Sequence, residues 1–247
     1  MPVTDIASPR WPADPALFLD LDGTLLEFAL DPATVRLPDR VHWILEQLPR
    51  ATRGAIAFVS GRTLADLDRL LGHGRFPVAA VHGLKRRDAE GRLSSAVADE
   101  AGFDRMHEIM TQIRNEFPQT SLEHKGVALA LHYRACPGLE ATLVERVERG
   151  LNGMASGLKL LRGKMVLEVR PVGADKGTAI SAFMREPPFA GRTPVFIGDD
   201  VTDEDGFREV NQRGGVSVKV DVGPSCASYR LKDTDAVIDW LEELVRD

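Results

Sequence analysis

The feature that most constrains this chain is a short apolar run that ends in two carboxylates. Residues 16–19 are apolar, and Asp20-Leu-Asp22-Gly-Thr24 follows directly. An apolar run of this length, bounded by a turn, indicates a strand that is buried on both faces of a parallel sheet. Because open α/β sheets bind ligands at the carboxyl ends of their strands, Asp20 and Asp22 are candidate functional residues. An ordinary strand that leads into an Asp-Gly turn would explain the same pattern, so the pattern alone leaves function open.

The same arrangement recurs along the chain. Further apolar strands are predicted at residues 54–59, 77–81, 194–197 and 216–220, with helical patterns between them. Strands that alternate with helices predict a doubly wound, Rossmann-like α/β domain with a parallel sheet.

Polar residues follow several of these predicted strands. Ser60 and Asp199-Asp200 stand at strand ends, and Lys176 stands at a predicted helix start. Parallel strands present all their carboxyl ends at one edge of the sheet. We therefore expect these residues to meet Asp20 and Asp22, although about 180 positions separate the first acids from the last.

The alternation of strands and helices is interrupted in the middle of the chain. Residues 98–170 predict a helix and two strands, repeated once, which is the pattern of a small α+β layer. The expected organisation is a core made of residues 1–97 and 171–247, with residues 98–170 as an inserted domain.

Period-two alternation predicts which side chains of this layer share a face. Glu123 and Lys125 are expected on one face of their strand. On the last strand, Met165, Leu167 and Val169 are expected to pack on the helices. The alternate residues are then expected on the opposite face of the sheet: Lys164, Val166, Glu168 and Arg170. Charged groups on such a face form strong hydrogen bonds with sugar hydroxyls. A sheet face exposed to solvent would show the same pattern, so both interpretations stay open.

The grouped carboxylates predict a cation. Three or four carboxylates pressed together raise one another's pKa unless a positive charge lies among them. Such a site calls for a hard ion that binds oxygen ligands and keeps positions for water and a phosphate oxygen. Mg²⁺ fits this description best. Ser60 and Lys176 are donors that suit the remaining phosphate oxygens.

Four motifs carry a resemblance to a known superfamily. Asp20-Leu-Asp-Gly-Thr-Leu, Ser60-Gly-Arg, Asp175-Lys-Gly and Gly198-Asp-Asp-Val-Thr-Asp resemble, in order, the motifs of the haloacid-dehalogenase-like (HAD) phosphatases. More narrowly, the chain resembles the trehalose-6-phosphate phosphatases along nearly its whole length. That match rests on the segments Val81-His-Gly83, Glu123-His-Lys125-Gly126, His132-Tyr-Arg134, Glu168-Val-Arg170-Pro-Val-Gly173 and Gly198–Asp205. The resemblance implies a HAD core with an inserted α+β cap domain.

The resemblance also implies a mechanism. Asp20 would attack phosphorus and become an aspartyl-phosphate, while Asp22 would protonate the departing sugar oxygen and later deprotonate the attacking water. Mg²⁺ would bind Asp20, the backbone carbonyl of Asp22, and Asp199. Outside these ligands, supporting roles are implied for Thr24, Asp200 and Asp203.

The resemblance assigns sugar recognition to the inserted layer and its surroundings. Glu123, Lys125 and Glu168 are favoured as the sugar-binding set. The further expected substrate contacts are Gly83, Arg62 and Arg170, and for Arg62 bracing of the loop after Ser60 is an equal alternative.

Composition limits the partners that can be expected. The formal net charge is −6, which suggests neither a nucleic acid nor an anionic membrane as partner. The first ten residues lack the pattern of a signal peptide, so we expect a cytoplasmic protein. We also expect a monomer. Cys136 and Cys226 lack ligand-like spacing and are expected to be free thiols rather than a disulfide.

Other readings of the motifs stay open at this point. A related capped phosphatase could act on sucrose-phosphate or mannosyl-phosphoglycerate, and a phosphomutase also uses Asp-x-Asp. A non-catalytic sugar-phosphate-binding module would be marked by loss of Asp20, Asp22 or Asp199, and all three are present.

Overall fold

The chain divides into two structural units, each of which packs mainly within itself. The computed structural model describes residues 9–27, 35–95, 100–152 and 157–246. Residues Met1–Ser94 and Asp175–Asp247 form the first unit, and Ser95–Ala174 form the second. The second unit therefore extends a few residues beyond the expected segment 98–170 at each end.

The first unit is built on an eight-stranded sheet. The strands are β1 (Pro15–Leu19), β2 (Ile56–Val59), β3 (Val78–Ala80), β4 (Lys85–Arg87), β5 (Leu93–Ser95), β10 (Thr193–Gly198), β11 (Val216–Val220) and β12 (Tyr229–Leu231), in the spatial order β12-β11-β10-β1-β2-β3-β4-β5. The strands from β12 to β3 are parallel to their neighbours, and β4 is antiparallel to β3. The predicted parallel α/β sheet is confirmed, whereas β12 is a strand that the sequence patterns did not predict.

The position of β1 in the middle of the sheet follows from its composition. All five of its residues are buried, because β10 and β2 flank it on both edges and apolar side chains cover both faces. On one face, Phe18 packs in a cluster with Phe183 and Phe189. Burial of such aromatic side chains contributes roughly 1.5–3 kcal/mol each, so the strand that carries the two acids is firmly fixed.

Five helices accompany this sheet. They are α1 (Asp39–Ala51), α2 (Leu64–Leu71), α5 (Lys176–Phe183), α6 (Glu204–Gln212) and α7 (Thr234–Arg246). Thr63 caps α2 by accepting a hydrogen bond from the Asp66 N–H, and Asp175 caps α5 by accepting one from the Thr178 N–H. The cap fixes where α5 begins, and Lys176 is its first residue.

The second unit is a four-stranded antiparallel sheet with two helices. Its strands are β6 (Ser121–His124), β7 (Leu129–His132), β8 (Leu158–Gly163) and β9 (Val166–Pro171), in the order β6-β7-β9-β8, and its helices are α3 (Glu100–Glu116) and α4 (Glu140–Asn152). Leu129, Leu131, Leu167 and Val169 are fully buried against apolar side chains of both helices.

One part of the predicted alternation is wrong. Leu167 and Val169 pack on the helices as expected, but Met165 does not, because β9 begins at Val166 and Met165 lies in the preceding turn. Its φ of 60° belongs to that turn, and the residue is 39% exposed. In the described ranges of the chain, no helix is both long enough and apolar enough to cross a bilayer.

Candidate active site

The carboxyl ends of β1 and β10 approach each other closely at one edge of the first unit's sheet. The backbone N–H of Asp20 donates to the carbonyl of Ile197 at 3.0 Å, which joins the end of β1 to the end of β10. The turn after β1 needs glycine, since Gly23 has a φ of +79° and a Cβ there would lie within 2.7 Å of both carboxylate oxygens of Asp199. The first and fourth predicted motifs therefore meet at this edge.

Lys176 links two of the acids at this edge. Its Nζ lies 3.1 Å from Oδ1 of Asp20 and 2.6 Å from Oδ1 of Asp203. The lysine is 2% exposed, so these ion pairs are shielded from water. The other oxygen of Asp203, Oδ2, accepts hydrogen bonds from the N–H groups of Asp199 at 3.0 Å and Asp200 at 2.8 Å. Asp203 thus holds the lysine on one side and the turn after β10 on the other.

The pKa values show how crowded this cluster is. Burial, opposed by Lys176 but reinforced by Asp203 and Asp199, raises the pKa of Asp20 well above its usual range. Burial and the neighbouring Asp203 raise the pKa of Asp199 to about 7. Burial alone would lower the pKa of Lys176, but the two carboxylates outweigh it and the pKa is raised. One lysine therefore does not balance the negative charge of three acids.

The donor set fits a hard metal ion. Oxygen atoms of Asp20, Asp199 and Asp203 lie within 4.8 Å of one another. Oδ1 of Asp199 is buried and has no hydrogen-bond partner among the described residues. Both oxygens of Asp203 are already engaged, so Asp20 and Asp199 are the acids with coordination capacity to spare. Carboxylate oxygens at this spacing can bind a metal ion.

Asp22, the second acid of the first motif, forms an ion pair with Arg62. Nε and Nη2 of Arg62 donate to the two carboxylate oxygens of Asp22 at 2.7 and 2.6 Å, a bidentate ion pair. Arg62 is 8% exposed, and the Asp22 side chain is 30% exposed. The carboxylate of Asp22 therefore contacts Arg62, a partner that sequence reasoning did not assign.

Ser60 and Gly83 lie where the loops after β2 and β3 meet. The Ser60 carbonyl accepts from the His82 N–H at 2.9 Å, and the Ser60 hydroxyl accepts from the Arg62 N–H at 3.3 Å. Val81, His82 and Gly83 all have positive φ, which is strained for the first two. A Cβ on Gly83 would lie 2.5 Å from the Asp175 carbonyl oxygen, so this glycine has a packing role next to Lys176.

Two of the expected supporting residues are also placed by the structure. Thr24 is fully buried, and its hydroxyl has no hydrogen-bond partner among the described residues. Asp200 takes part through its backbone, because its N–H donates to Asp203 and its carbonyl accepts from the Asp203 N–H at 3.0 Å. Hydrogen bonds in both directions close the turn after β10 into a compact unit.

In the second unit, the expected sugar-binding residues share the sheet face opposite the helices. Nζ of Lys125 lies 3.1 Å from Oε2 of Glu168, and Nε2 of His132 lies 3.0 Å from Oε2 of Glu123. The hydrogen bond from His132, although burial opposes it, lowers the pKa of Glu123. Arg170 is 2% exposed, with Nε and Nη1 that have no partner among the described residues. His132, which belongs to one of the resemblance motifs but was not predicted as a site residue, also lies on this face.

Comparisons with known proteins agree with these motifs and this fold. The family model described as trehalose-phosphatase matches residues 18–235. A trehalose-6-phosphate phosphatase of Escherichia coli K12 is 44% identical over 98% of this chain and 90% of its own length.

Solved structures show the same fold. The C-terminal domain of a trehalose-6-phosphate phosphatase of C. albicans superposes with a TM-score of 0.84 at 25% identity, over 94% of this chain and 93% of that one. A HAD-superfamily phosphatase of Bacteroides thetaiotaomicron shares the fold with a TM-score of 0.64 at 17% identity, over 96% of this chain and 99% of that one. The acid cluster on the edge of a parallel sheet thus occurs in a chain that has the HAD fold and belongs to the trehalose-phosphatase family.

Proposed function

We propose that this protein, a phosphatase by family, hydrolyses trehalose 6-phosphate to trehalose and phosphate with the help of Mg²⁺. The observation that carries the proposal is the buried cluster in which Lys176 bridges Asp20 and Asp203 while Asp199 keeps an unengaged oxygen. Asp20 and Asp199 would hold Mg²⁺ together with the backbone carbonyl of Asp22. The bound ion would neutralise charge on the transferring phosphoryl group and keep Asp20 ionised.

Asp20 is the proposed nucleophile. Lys176 occupies its Oδ1, which leaves Oδ2 to attack phosphorus as the bond from phosphorus to the sugar oxygen breaks. The product of this step is an aspartyl-phosphate. Water then attacks the same phosphorus, the bond to Asp20 breaks, and inorganic phosphate leaves. Lys176 and Ser60 are donors that would orient the phosphate oxygens.

Asp22 is the proposed proton carrier. It would give a proton to the departing sugar oxygen in the first step and take one from water in the second. In the structure, both carboxylate oxygens of Asp22 accept hydrogen bonds from Arg62. The first step needs a protonated Asp22, so we infer that this pair opens when substrate binds. Arg62 would then be available to bind a phosphoryl oxygen.

The second unit is the proposed cap, and the first unit is the proposed catalytic core. Support for a sugar site comes from the face that carries Glu123, Lys125 and Glu168, since its other side is occupied by the helices. Arg170 adds two buried N–H groups that suit oxygen acceptors. Paired carboxylates and cations can exchange their mutual contacts for sugar hydroxyls with little net loss of hydrogen bonding.

The experiment that tests the proposal is phosphate release from a panel of substrates, each with Mg²⁺ and with excess chelator. The panel contains trehalose 6-phosphate, sucrose 6-phosphate, mannosyl-phosphoglycerate and an aryl phosphate. Mg²⁺-dependent release with the highest kcat/KM on trehalose 6-phosphate is expected. A higher kcat/KM on either of the other sugar phosphates would mean that trehalose 6-phosphate is not the preferred substrate. Undiminished phosphate release in chelator would show that the reaction does not need a metal ion.

A further inference from the structure

Lys219 is a buried lysine that the proposed mechanism does not use. It lies on β11, next to Gly198 at the end of β10, and is 6% exposed. Its ammonium group donates to the backbone carbonyl oxygens of Asp199 and Val220, the latter at 2.7 Å. The lysine therefore joins the carboxyl ends of two neighbouring strands at the edge that carries the acid cluster.

A buried ammonium held only by carbonyl groups is costly. In the described part of the chain, no carboxylate lies within ion-pair distance of Lys219, in contrast to Lys176, which has two. Moving a charge out of water is unfavourable unless hydrogen bonds or nearby opposite charges compensate for the lost hydration. The position of the two carbonyl groups indicates what this buried lysine does.

The peptide of Asp199 is held from both sides. Its N–H donates to Oδ2 of Asp203 at 3.0 Å, and its carbonyl oxygen accepts from Lys219. With both backbone groups engaged, the direction of the Asp199 side chain is largely fixed. That side chain carries the buried Oδ1 with no partner among the described residues, and it packs against Gly23 in the turn after Asp20.

We propose that Lys219 is a positioning residue that fixes the Asp199 peptide, so that the Asp199 carboxylate faces Asp20 and is ready to bind the metal. This inference rests on the metal site proposed above. Two effects of the lysine oppose each other in a measurable way. Its positive charge disfavours a nearby cation, whereas its hold on the peptide favours one, so removing it tests which effect dominates.

The test compares Lys219→Met and Lys219→Gln with a matched control, Ser217→Ala. Ser217 lies two residues earlier on the same face of β11, is fully buried, and hydrogen-bonds to Asn211 and Ser228 rather than to the acid cluster. Its loss therefore reproduces the removal of a buried polar contact from the same strand. Lys219→Gln is the second variant in case methionine prevents folding, because glutamine keeps a neutral N–H donor.

The first readout needs no metal and no substrate. Hydrogen exchange of the metal-free protein is followed in the peptide that contains the Asp199 and Asp200 amides, both of which donate to Asp203. Exchange at least about 10-fold faster in Lys219→Met than in Ser217→Ala is expected, because the turn loses one of its two anchors. Equal exchange in the two variants would overturn the proposal.

The second readout is Mg²⁺ affinity, taken from the rise of Tm with Mg²⁺ concentration. Lys219→Met is expected to weaken Mg²⁺ binding by about 10–100-fold and to lower kcat at saturating Mg²⁺ more than it changes KM, while Ser217→Ala keeps the wild-type affinity. Tighter Mg²⁺ binding in Lys219→Met would show that repulsion from the lysine's charge outweighs its hold on Asp199, and would overturn the proposal. If the wild-type protein itself shows no Mg²⁺ shift, the metal site fails, and hydrogen exchange alone decides the role of Lys219.

Discussion

Replacing Gly23 with alanine would test whether the turn after β1 and the carboxylate of Asp199 depend on each other. Gly23 has a φ of +79°, and Gly91, in the turn between β4 and β5, has a φ of +82°. Both positions impose the left-handed conformation, which costs a non-glycine residue about 1–2 kcal/mol. A Cβ on Gly91 meets no atom within 4 Å, whereas one on Gly23 lies within 2.7 Å of both oxygens of Asp199. Gly91→Ala is therefore a control with the same backbone strain and no collision.

The size of the effect follows from that collision. Ordinary contacts between non-bonded heavy atoms begin at about 3.5 Å, so the Asp199 carboxylate or the turn must move by ~1 Å. Displacement of a reacting group by about 1 Å costs on the order of 10²-fold in rate. We expect Gly23→Ala to lower kcat on trehalose 6-phosphate by at least about that factor and to weaken Mg²⁺ binding. Gly91→Ala should keep near wild-type values of both.

The assay is steady-state phosphate release at several Mg²⁺ concentrations, together with Tm of both variants. Strain alone should lower Tm by roughly 2–8 °C in each variant, since about 1 kcal/mol corresponds to about 2–4 °C in a chain of this size. If Gly23→Ala retained kcat within a factor of two of Gly91→Ala, the close approach of Gly23 to Asp199 would not matter for catalysis. The reasoning would then be refuted, whatever the Tm values.

Four further outcomes are expected. Asp20→Asn should abolish turnover while substrate still protects the protein against unfolding, and turnover near the wild-type rate would exclude the covalent step. Asp22→Asn should lower the rate roughly 10²–10⁴-fold on the sugar phosphate and by less on an aryl phosphate. Burial raises the pKa of Asp199 to about 7, so the metal-free folded state keeps a proton that the unfolded state has lost, and this contribution to stability disappears as pH rises from about 4 to 7. The Tm in chelator should therefore fall further below the Tm in Mg²⁺ over this range, and a difference that stays constant or narrows would contradict the reasoning. Lys125→Ala should cut kcat/KM for trehalose 6-phosphate by about 10²-fold but spare an aryl phosphate, with Arg146→Ala on the helix side of the same unit as the control; a parallel loss on both substrates would indicate a structural role.

The sequence predicts the fold best where buried positions produce a regular pattern of apolar residues. β1 and β10 are apolar along almost their whole length, and their acidic ends follow directly from the rule that parallel strands share a carboxyl edge. Leu167 and Val169 were placed correctly by alternation. Met165 was not, because alternation holds only within a strand and the turn before β9 includes that residue. β12 is only three residues long, too short to carry a period.

The candidate site was harder to predict where polar residues are buried. On β11, Val216-Ser-Val-Lys-Val alternates like a strand with one face in water, yet Ser217 and Lys219 are 0% and 6% exposed. Their hydrogen bonds to Asn211, Ser228 and the end of β10 make this burial possible. These partners lie 6 to 20 positions away, outside the strand itself, so the pattern of the strand does not reveal them. The same reason hid the pair between Arg62 and Asp22, which are 40 positions apart.

Motifs identify the acids of this site, but the ion pairs determine how the acids influence one another. Lys176 is shared between Asp20 and Asp203, so the charge that it offers to the nucleophile depends on how firmly Asp203 holds it. Asp203 in turn holds the N–H of Asp199, whose carbonyl is held by Lys219. A change at Asp203 therefore reaches the nucleophile and the metal ligand together, and its effects should not add to those of changes at either one. Residues that touch neither substrate nor metal thus set the geometry of those that do.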